Sequence, residues 1–338
     1  MKIITPENLI DLIGKIGMNE FFIQLMDAIE KDFKNWELFH KSIRHATYSP
    51  SGVIELMPCS DDEYYSFKYV NGHPGNAAHG KLTVAAVGFL CDVKTGYPIL
   101  FSEMTMLTAF RTAATAAIAS KYLARGDSSH AALIGTGAQS EFQVIALKNI
   151  FQLKSVSFFD IDRNAMKKFQ KNMEGEFQTI RPCGSIEDAV RDADIIITAT
   201  ADKKHNRLFD ASSVKPGTHI NAVGGDCPGK TELDSGLLKK AKIVVEYAKQ
   251  TLLEGEIQLQ GEHIIHAELW EIITGKKTGR LDDREITIFD SVGFALEDFS
   301  ALKLLYELSG KFSFANEIEM IPTPENPKDL YGLFADKK

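Results

Sequence analysis

From His130 onward the chain alternates short apolar runs with amphipathic segments, and this alternation restricts the fold more than any other feature. Residues 131–134, 156–159, 195–199, 220–223, 243–245 and 286–289 read as strands. Residues 139–149 and 163–173 read as helices, and Ser185 opens a short one. Strands that alternate with helices are joined by crossovers, which give a parallel sheet covered on both faces. The first third of the chain follows another rule. Thr5 is placed to cap a helix with Pro6 at its first position, and a second helix is expected over 19–34. Residues 43–48, 53–57, 64–69, 84–92 and 97–102 then read as strands broken by Gly, Pro, Asn and Asp, an antiparallel-rich α+β region. The Ala- and Thr-rich stretch 106–124 reads as a helix ended by Arg125-Gly126-Asp127. A helix over 294–308 leads to a polar tail that can return to the first region.

The length of 338 residues accommodates two domains of ordinary size. A net charge of −8 argues against nucleic acid or an anionic membrane as partner. Cys59, Cys91, Cys183 and Cys227 form no CxxC pair, which points to a reducing compartment rather than a disulfide framework. The N-terminal residues lack a signal-peptide pattern and no run is long and apolar enough to span a bilayer. The cytoplasm is the expected location.

Two glycine-rich turns carry the chemistry. The first, Gly135-Thr136-Gly137-Ala138-Gln139-Ser140, follows a strand and opens a helix in the form G-x-G-x-x-S. Gly135 and Gly137 permit a tight turn and close approach of a pyrophosphate to a helix N-terminus. Ser140 keeps the third position small. Asp160 ends the next strand, 23 residues after Gly137, where a carboxylate can take both hydroxyls of an adenine ribose and repel a 2′-phosphate. NAD is therefore expected over NADP. The competing reading of Asp160 is a helix N-cap before Arg163. Thr200 and residues 221–223 would lie along the same carboxyl edge of the sheet.

The second turn, Val223-Gly224-Gly225-Asp226-Cys227-Pro228-Gly229-Lys230, sets a carboxylate among glycines with a lysine four residues later. Its glycines are expected to let the backbone approach a ligand, and Asp226 is the candidate for chemistry. Arg44, Lys68 and Arg111 stand as isolated basic residues in apolar surroundings. Strand alternation favours a solvent-facing position for any one of them. Buried together they would hold a carboxylate, arginine by a two-pronged pair. Glu55, in Val53-Ile54-Glu55-Leu56-Met57, either faces solvent or acts on water or a substrate amine. The histidines show no metal-ligand pattern, so no metal is expected.

These segments resemble the ornithine cyclodeaminase/μ-crystallin family over almost the full length. The strongest matches are residues 221–233 and Phe289-Asp290-Ser291-Val292-Gly293-Phe294-Ala295-Leu296-Glu297-Asp298, joined by 135–139, 110–113 and 67–69. The resemblance implies an α/β fold in which a Rossmann-type NAD-binding domain, 116–309, is inserted in an α+β substrate-binding and dimerisation domain, 1–115 plus 310–338. It implies a homodimer. It gives Arg44, Lys68 and Arg111 to the substrate carboxylate, with Arg111 also near the cofactor. It makes Asp226 the catalytic carboxylate, with Lys68 and Glu55 as further catalytic candidates. Thr83, Ala138, Gln139, Asp160, Thr200, Ile220, Asn221, Ala222, Val223, Lys230 and Ser291 would line NAD beside Gly135 and Gly137. The implied reaction converts L-ornithine to L-proline and ammonia, with hydride leaving and returning and no net redox change. A family amino-acid dehydrogenase, imine reductase or lysine cyclodeaminase stands as the alternative. Keeping Arg44, Lys68, Arg111 and Asp226 together argues against a non-catalytic, crystallin-like binding protein.

Overall fold

The computed structural model describes residues 1–201 and 205–335; the last three residues of the expected 310–338 segment lie outside it. In chain order β1 (Lys2–Ile4) leads into α1 (Pro6–Ile16) and α2 (Met18–Lys34). Then come β2 (His40–Lys41), β3 (His45–Ser49), β4 (Gly52–Ser60), β5 (Tyr64–Gly72), β6 (Val84–Asp92), β7 (Pro98–Glu103) and α3 (Thr105–Leu123). The alternating half runs β8 (His130–Ile134), α4 (Ser140–Lys148), β9 (Ser155–Phe159), α5 (Arg163–Asn172), β10 (Thr179–Pro182), α6 (Ile186–Val190), β11 (Ile195–Thr198) and β12 (His219–Ala222). It continues through α7 (Ser235–Leu238), β13 (Lys242–Val245), α8 (Ala248–Glu254), β14 (Ile265–Glu268), α9 (Leu269–Ile273) and β15 (Thr287–Asp290). The chain closes with α10 (Ala295–Phe312), β16 (Asn316–Glu317) and α11 (Gly332–Ala335).

Local chemistry sets the boundaries. The Thr5 side chain accepts from the Asn8 amide at 3.3 Å with Pro6 in the first turn, and Gly17 at φ 87° separates α1 from α2. Ser185 caps α6 by accepting from the Asp188 amide at 3.2 Å. These side-chain acceptors satisfy amides that the first helical turn leaves unpaired.

The strands form two eight-stranded sheets. In the first the order is β16-β1-β7-β6-β5-β4-β2, with β3 on β4. Its pairs are antiparallel except β1–β7, and the tail returns to it through Lys2↔Glu317. The second sheet is parallel throughout, in the order β10-β9-β8-β11-β12-β15-β13-β14. The order reverses between β8 and β11, which opens a crevice at their carboxyl ends.

The two faces of the first sheet are unequal. Glu55, Met57, Ser66, Lys68, Val70, Ala86 and Leu90 point inward and are buried. Ile54, Leu56, Tyr65, Tyr69 and Val87 point outward and are exposed. Phe67 stacks on Phe89 with centroids 5.1 Å apart, and Phe89 meets Phe101 at 4.7 Å. α10 lies on the inner face. There Gly88 admits it closely, because a Cβ at Gly88 would stand 3.1 Å from Leu302 Cδ1 of α10, and 2.8 Å from Met104 Cγ ahead of α3.

Phe110 on α3 ties the helical layers together. Its ring meets Phe21 and Phe22 of α2 at 5.0 Å each and Phe142 of α4 at 4.8 Å. Edge-to-face contacts of this kind add to burial. Replacing Phe110 by Ala leaves a cavity among all three rings, and urea unfolding should show a loss of about 3–5 kcal/mol. A loss under about 1 kcal/mol would mean the layers are joined elsewhere.

Candidate active site

The paired registers bring five strand ends to one level. Ile134 is level with Phe159 and with Thr198, which is level with Ala222, itself level with Asp290. Gly135, Asp160, Thr200, Val223 and Ser291 follow those ends directly or by one further residue. Gly135 has φ 96°, and a Cβ there would sit 2.5 Å from the Ala199 carbonyl oxygen, so only glycine fits at the switch point. Gly137 faces open space, the room a pyrophosphate needs. Ser140 Oγ donates to the Gly137 carbonyl at 2.7 Å, which explains a serine at the third position. Asp160 accepts from Thr136 N at 2.6 Å, from Thr136 Oγ1 at 3.0 Å and from Asp162 N at 2.9 Å. It is not the N-cap of α5. Asp162 is, accepting from Asn164 and Ala165 amides at 2.8 and 3.3 Å.

Other residues expected along the nucleotide take varied positions. Ala138 is exposed on the turn and Gln139 is half-buried before α4. Thr200 gives its amide, at 2.8 Å, and its hydroxyl to Glu232. Ile220, Asn221 and Ala222 are buried within β12, where the Asn221 amide donates to Ser120 at 2.9 Å, and Val223 emerges at the strand's end. Ser291 donates to Glu246 at 2.7 Å. Thr83 accepts from the His73 amide at 2.8 Å and precedes β6, five residues from the Gly88 that pairs with Lys68. The glycine turn, its open side and the Asp160 carboxylate fit a dinucleotide.

The three basic residues are buried, against the solvent-facing position that alternation favoured. On β5 Tyr65, Phe67 and Tyr69 take the outward register, so Lys68 shares the inner one with Ser66 and Val70. Its Nζ lies 2.8 Å from Asp298 on α10. Burial and the neighbouring Arg111 push its pKa down to about 8, against the pull of Asp298. Arg111 pairs with Glu297 Oε2 at 2.6 Å and with Asp298 Oδ1 at 2.9 Å. Burial opposes its charge, but the two carboxylates outweigh that and raise its pKa. Gly293, at φ 77°, lets Arg111 in, since a Cβ there would stand 2.7 Å from Nη1. Arg44 donates to Glu55 at 3.0 Å and to the Val292 and Gly293 carbonyls at 2.6 Å each. Its Nε is 3.2 Å from Glu254. Glu55 is therefore not a solvent-facing strand residue; it is buried against Arg44.

The second glycine turn is not open to a ligand at its first two positions. A Cβ on Gly224 would collide with the Glu232 carboxylate, and one on Gly225 with Glu256. The chain's own acids occupy the space that glycine leaves. Glu256 accepts from the Glu232 and Leu233 amides at 2.8 Å each, and Asp290 accepts from the Glu256 and Ile257 amides at 3.0 and 3.2 Å. Asp226 stands 53% exposed at the rim, 3.2 Å from Lys230 Nζ, and perturbs both Arg44 and Glu254. Lys230 is buried, which disfavours its charge, yet Asp226 and Glu232 raise its pKa.

Four acids of this site carry no role from the sequence alone, although Glu297 and Asp298 lie in the 289–298 motif. Glu297 and Asp298 read as ordinary first-turn acids of a helix, which complement the helix dipole. Glu246 accepts from Ser291 and from the Val292 and Gly293 amides at 2.9 and 2.8 Å, and also faces Glu297. Burial raises the pKa of both, and each carboxyl acts on the other. Glu254 is the fourth. Burial, with Glu55 and Asp226 nearby, holds it up at about 7 despite Arg44.

A glycine turn at the switch point of a parallel sheet, with a buried cationic cluster beside the end of β15, defines an NAD-dependent enzyme. The chain belongs to the ornithine cyclodeaminase/mu-crystallin family, whose model matches residues 6–311. It is 50% identical over 331 residues to the ornithine cyclodeaminase of Agrobacterium tumefaciens (strain Ach5), covering 98% of this chain and 93% of that protein. An archaeal alanine dehydrogenase dimer with bound NAD superposes with a TM-score of 0.87 at 35% identity, covering 95% of this chain and 99% of that one. A lysine cyclodeaminase, solved for its recognition of L-lysine, L-ornithine and L-2,4-diaminobutyric acid, gives a TM-score of 0.92 at 27% identity, covering 98% and 99%.

The lowered Lys68 pKa has a sign that can be measured. Between pH of about 8 and the ordinary lysine value of 10.5, the unfolded chain binds a proton that folded Lys68 does not. Stability from this group therefore rises with pH across that window, by at most about 1.4 kcal/mol per pH unit. Urea unfolding of wild type and Lys68→Met from pH 7.5 to 10.5 should show the slope only in wild type. Equal slopes would mean Lys68 is charged throughout.

Proposed function

We propose that the chain is an NAD-dependent ornithine cyclodeaminase, an ammonia-lyase that converts L-ornithine to L-proline and ammonia with no net redox change. The observation that carries this reading is the convergence of Arg44, Lys68 and Arg111 at the carboxyl edge of the parallel sheet, with Asp226 at the rim. Gly135, Gly137, Asp160 and the neighbouring strand ends would hold NAD, which supplies a hydride acceptor at the start and a hydride donor at the end.

The chain's own groups do the rest. A lysine has three N–H donors and an arginine five, more than the surrounding carboxylates consume, so a substrate carboxylate finds donors in the cluster. That contact fixes Cα against the nucleotide crevice. Asp226, open to the cleft and steadied by Lys230, takes a proton from the substrate α-ammonium and leaves the amine neutral. The five-membered ring closes when the δ-amine bonds to Cα and the α-nitrogen departs as ammonia. Burial of the cationic cluster excludes water from the reacting carbon.

We further propose a homodimer formed through the outer face of the first sheet. Ile54, Leu56, Tyr65, Tyr69 and Val87 leave an apolar surface across three neighbouring strands, the kind that a second copy covers. The division into 1–115 plus 310–338 and 116–309 fits this reading, with α3 and α10 running through the junctions. Four free cysteines fit a cytoplasmic location, and among the described residues no helix is long and apolar enough to cross a membrane.

Incubation with L-ornithine and catalytic NAD⁺ should yield proline and ammonia in equal amounts without lasting NADH. NADH rising with each turnover would make the chain a dehydrogenase, the activity of its alanine dehydrogenase relative. Asp226→Ala should abolish proline formation and leave NAD binding within about twofold; retained turnover would remove Asp226 from the mechanism. Val87→Glu places a charge in the apolar face, and sedimentation should then report monomers where the parent chain gives dimers. A dimeric variant would move the interface elsewhere.

A further inference from the structure

We propose that Glu254 is the subsite for the distal ammonium of a diamino-acid substrate, and thereby the residue that makes this pocket select diamino over monoamino acids. The proposal rests on the functional reading above and gives that site its specificity element. Glu254 ends α8, and its position is fixed from both sides. One turn earlier, Gln250 accepts from the Arg44 amide at 3.2 Å and donates to the Gly293 carbonyl at 2.8 Å. Immediately after it, Gly255 presses on the end of β15, where a Cβ would stand 2.6 Å from the Asp290 carboxylate. α8 is thus pinned to the loop that receives Arg44.

The side chain itself is 4% exposed. Its Oε2 lies 3.2 Å from Arg44 Nε, but the angle gives no hydrogen bond, and among the described residues this oxygen has no hydrogen-bond partner. A buried carboxylate oxygen without a donor is rare and costly. Charge points the same way. Glu55, Glu254 and Asp226 surround Arg44, while Lys230 pairs with Asp226. Three carboxylates face two cations here, and of the three Glu254 is the one with a buried oxygen that no donor holds. Lys68 and Arg111, with Arg44 near enough to act on Lys68, form the side suited to an α-carboxylate. A substrate anchored there sends its side chain toward the acidic end. Asp226 is the weaker host for a fixed ammonium because it is half exposed to water and already paired. Glu254 is buried, and contact with a cation is worth most where water is excluded.

The alternative role for Glu254 is to hold Arg44 in place, and two ligands separate the roles. L-ornithine and L-norvaline share the five-carbon amino-acid skeleton, and only ornithine has the distal amine. Binding is measured by calorimetry on the protein loaded with NADH, which cannot take hydride, so neither ligand is consumed. For Glu254→Gln the ornithine Kd should rise at least about tenfold, with the norvaline Kd within about twofold of wild type. Norvaline binding also reports that the variant is folded. The groups facing Glu254 are Arg44, Glu55, Asp226 and the Tyr48 ring. Because its carboxyl titrates near 7, wild-type affinity for ornithine should fall as pH drops from about 8 to 6, and Glu254→Gln should lose that dependence. Equal losses for both ligands would make Glu254 a positioning residue for Arg44 and overturn the proposal, as would no loss for either. Proline formation by wild type is scored separately: its absence sinks the cyclodeaminase reading, while the paired binding comparison still decides Glu254.

Discussion

The buried charge array on the first turn of α10 is the constraint on which the molecule depends. Lys68 comes from the first sheet, Arg111 from α3 and the acids Glu297 and Asp298 from α10. Desolvating such groups costs several kcal/mol each, and their attraction returns little beyond that. The array is therefore poor glue but a strict jig. Removing one member strands its partner in a dry interior, which costs far more than the pair contributes. The sheet, the helix and the strand ends above them have few ways to satisfy all four charges at once. The placement of the candidate site follows from that restriction. Acids in the first turn of α10 also face the positive end of the helix dipole, so they are held from behind as well as from the front.

Much of this architecture was legible in the sequence, and what was not has a physical cause. Long runs with clear period and clear punctuation gave correct elements, β6 at 84–92 and the serine cap of α6 among them. Three- and four-residue strands such as β1, β10 and β14 escape notice, because they are strands only by virtue of a neighbour that sequence does not reveal. Alternation sorts β5 into two sets but does not say which set faces in. The aromatic set, Tyr65, Phe67 and Tyr69, looks like the core and lies outside. Lysine looks like surface and lies inside, because α10 arrives over 220 residues later with its counter-charge. Isolated charges in apolar runs and the second glycine turn picked out the basic trio and Asp226, and the resemblance gave them roles. It left Glu246, Glu254, Glu297 and Asp298 without roles, since an acid near a helix end is among the commonest features of any soluble chain.

Burying so many acids is itself informative. Glu232, Glu256 and Asp290 form successive clasps: Asp290 accepts the amide of Glu256, Glu256 that of Glu232, and Glu232 that of Thr200. Asp290 is pushed up to about 7 by burial, and Glu256 well above the usual carboxylate range. The clasps bring the 224–233 loop and the 255–257 turn against strand ends without a regular element of their own.

The clasps also change the meaning of Gly224 and Gly225. Those positions look like a close approach for a ligand, but each is a socket for a carboxylate of the same chain. Any side chain at 224 must displace Glu232, and displacing Glu232 releases Thr200 at the switch point. Evolution can therefore alter this turn only by coordinated pairs of substitutions, a larger residue at one partner with a shorter acid at the other. Among relatives, variation here would track partner acids rather than the nucleotide bound.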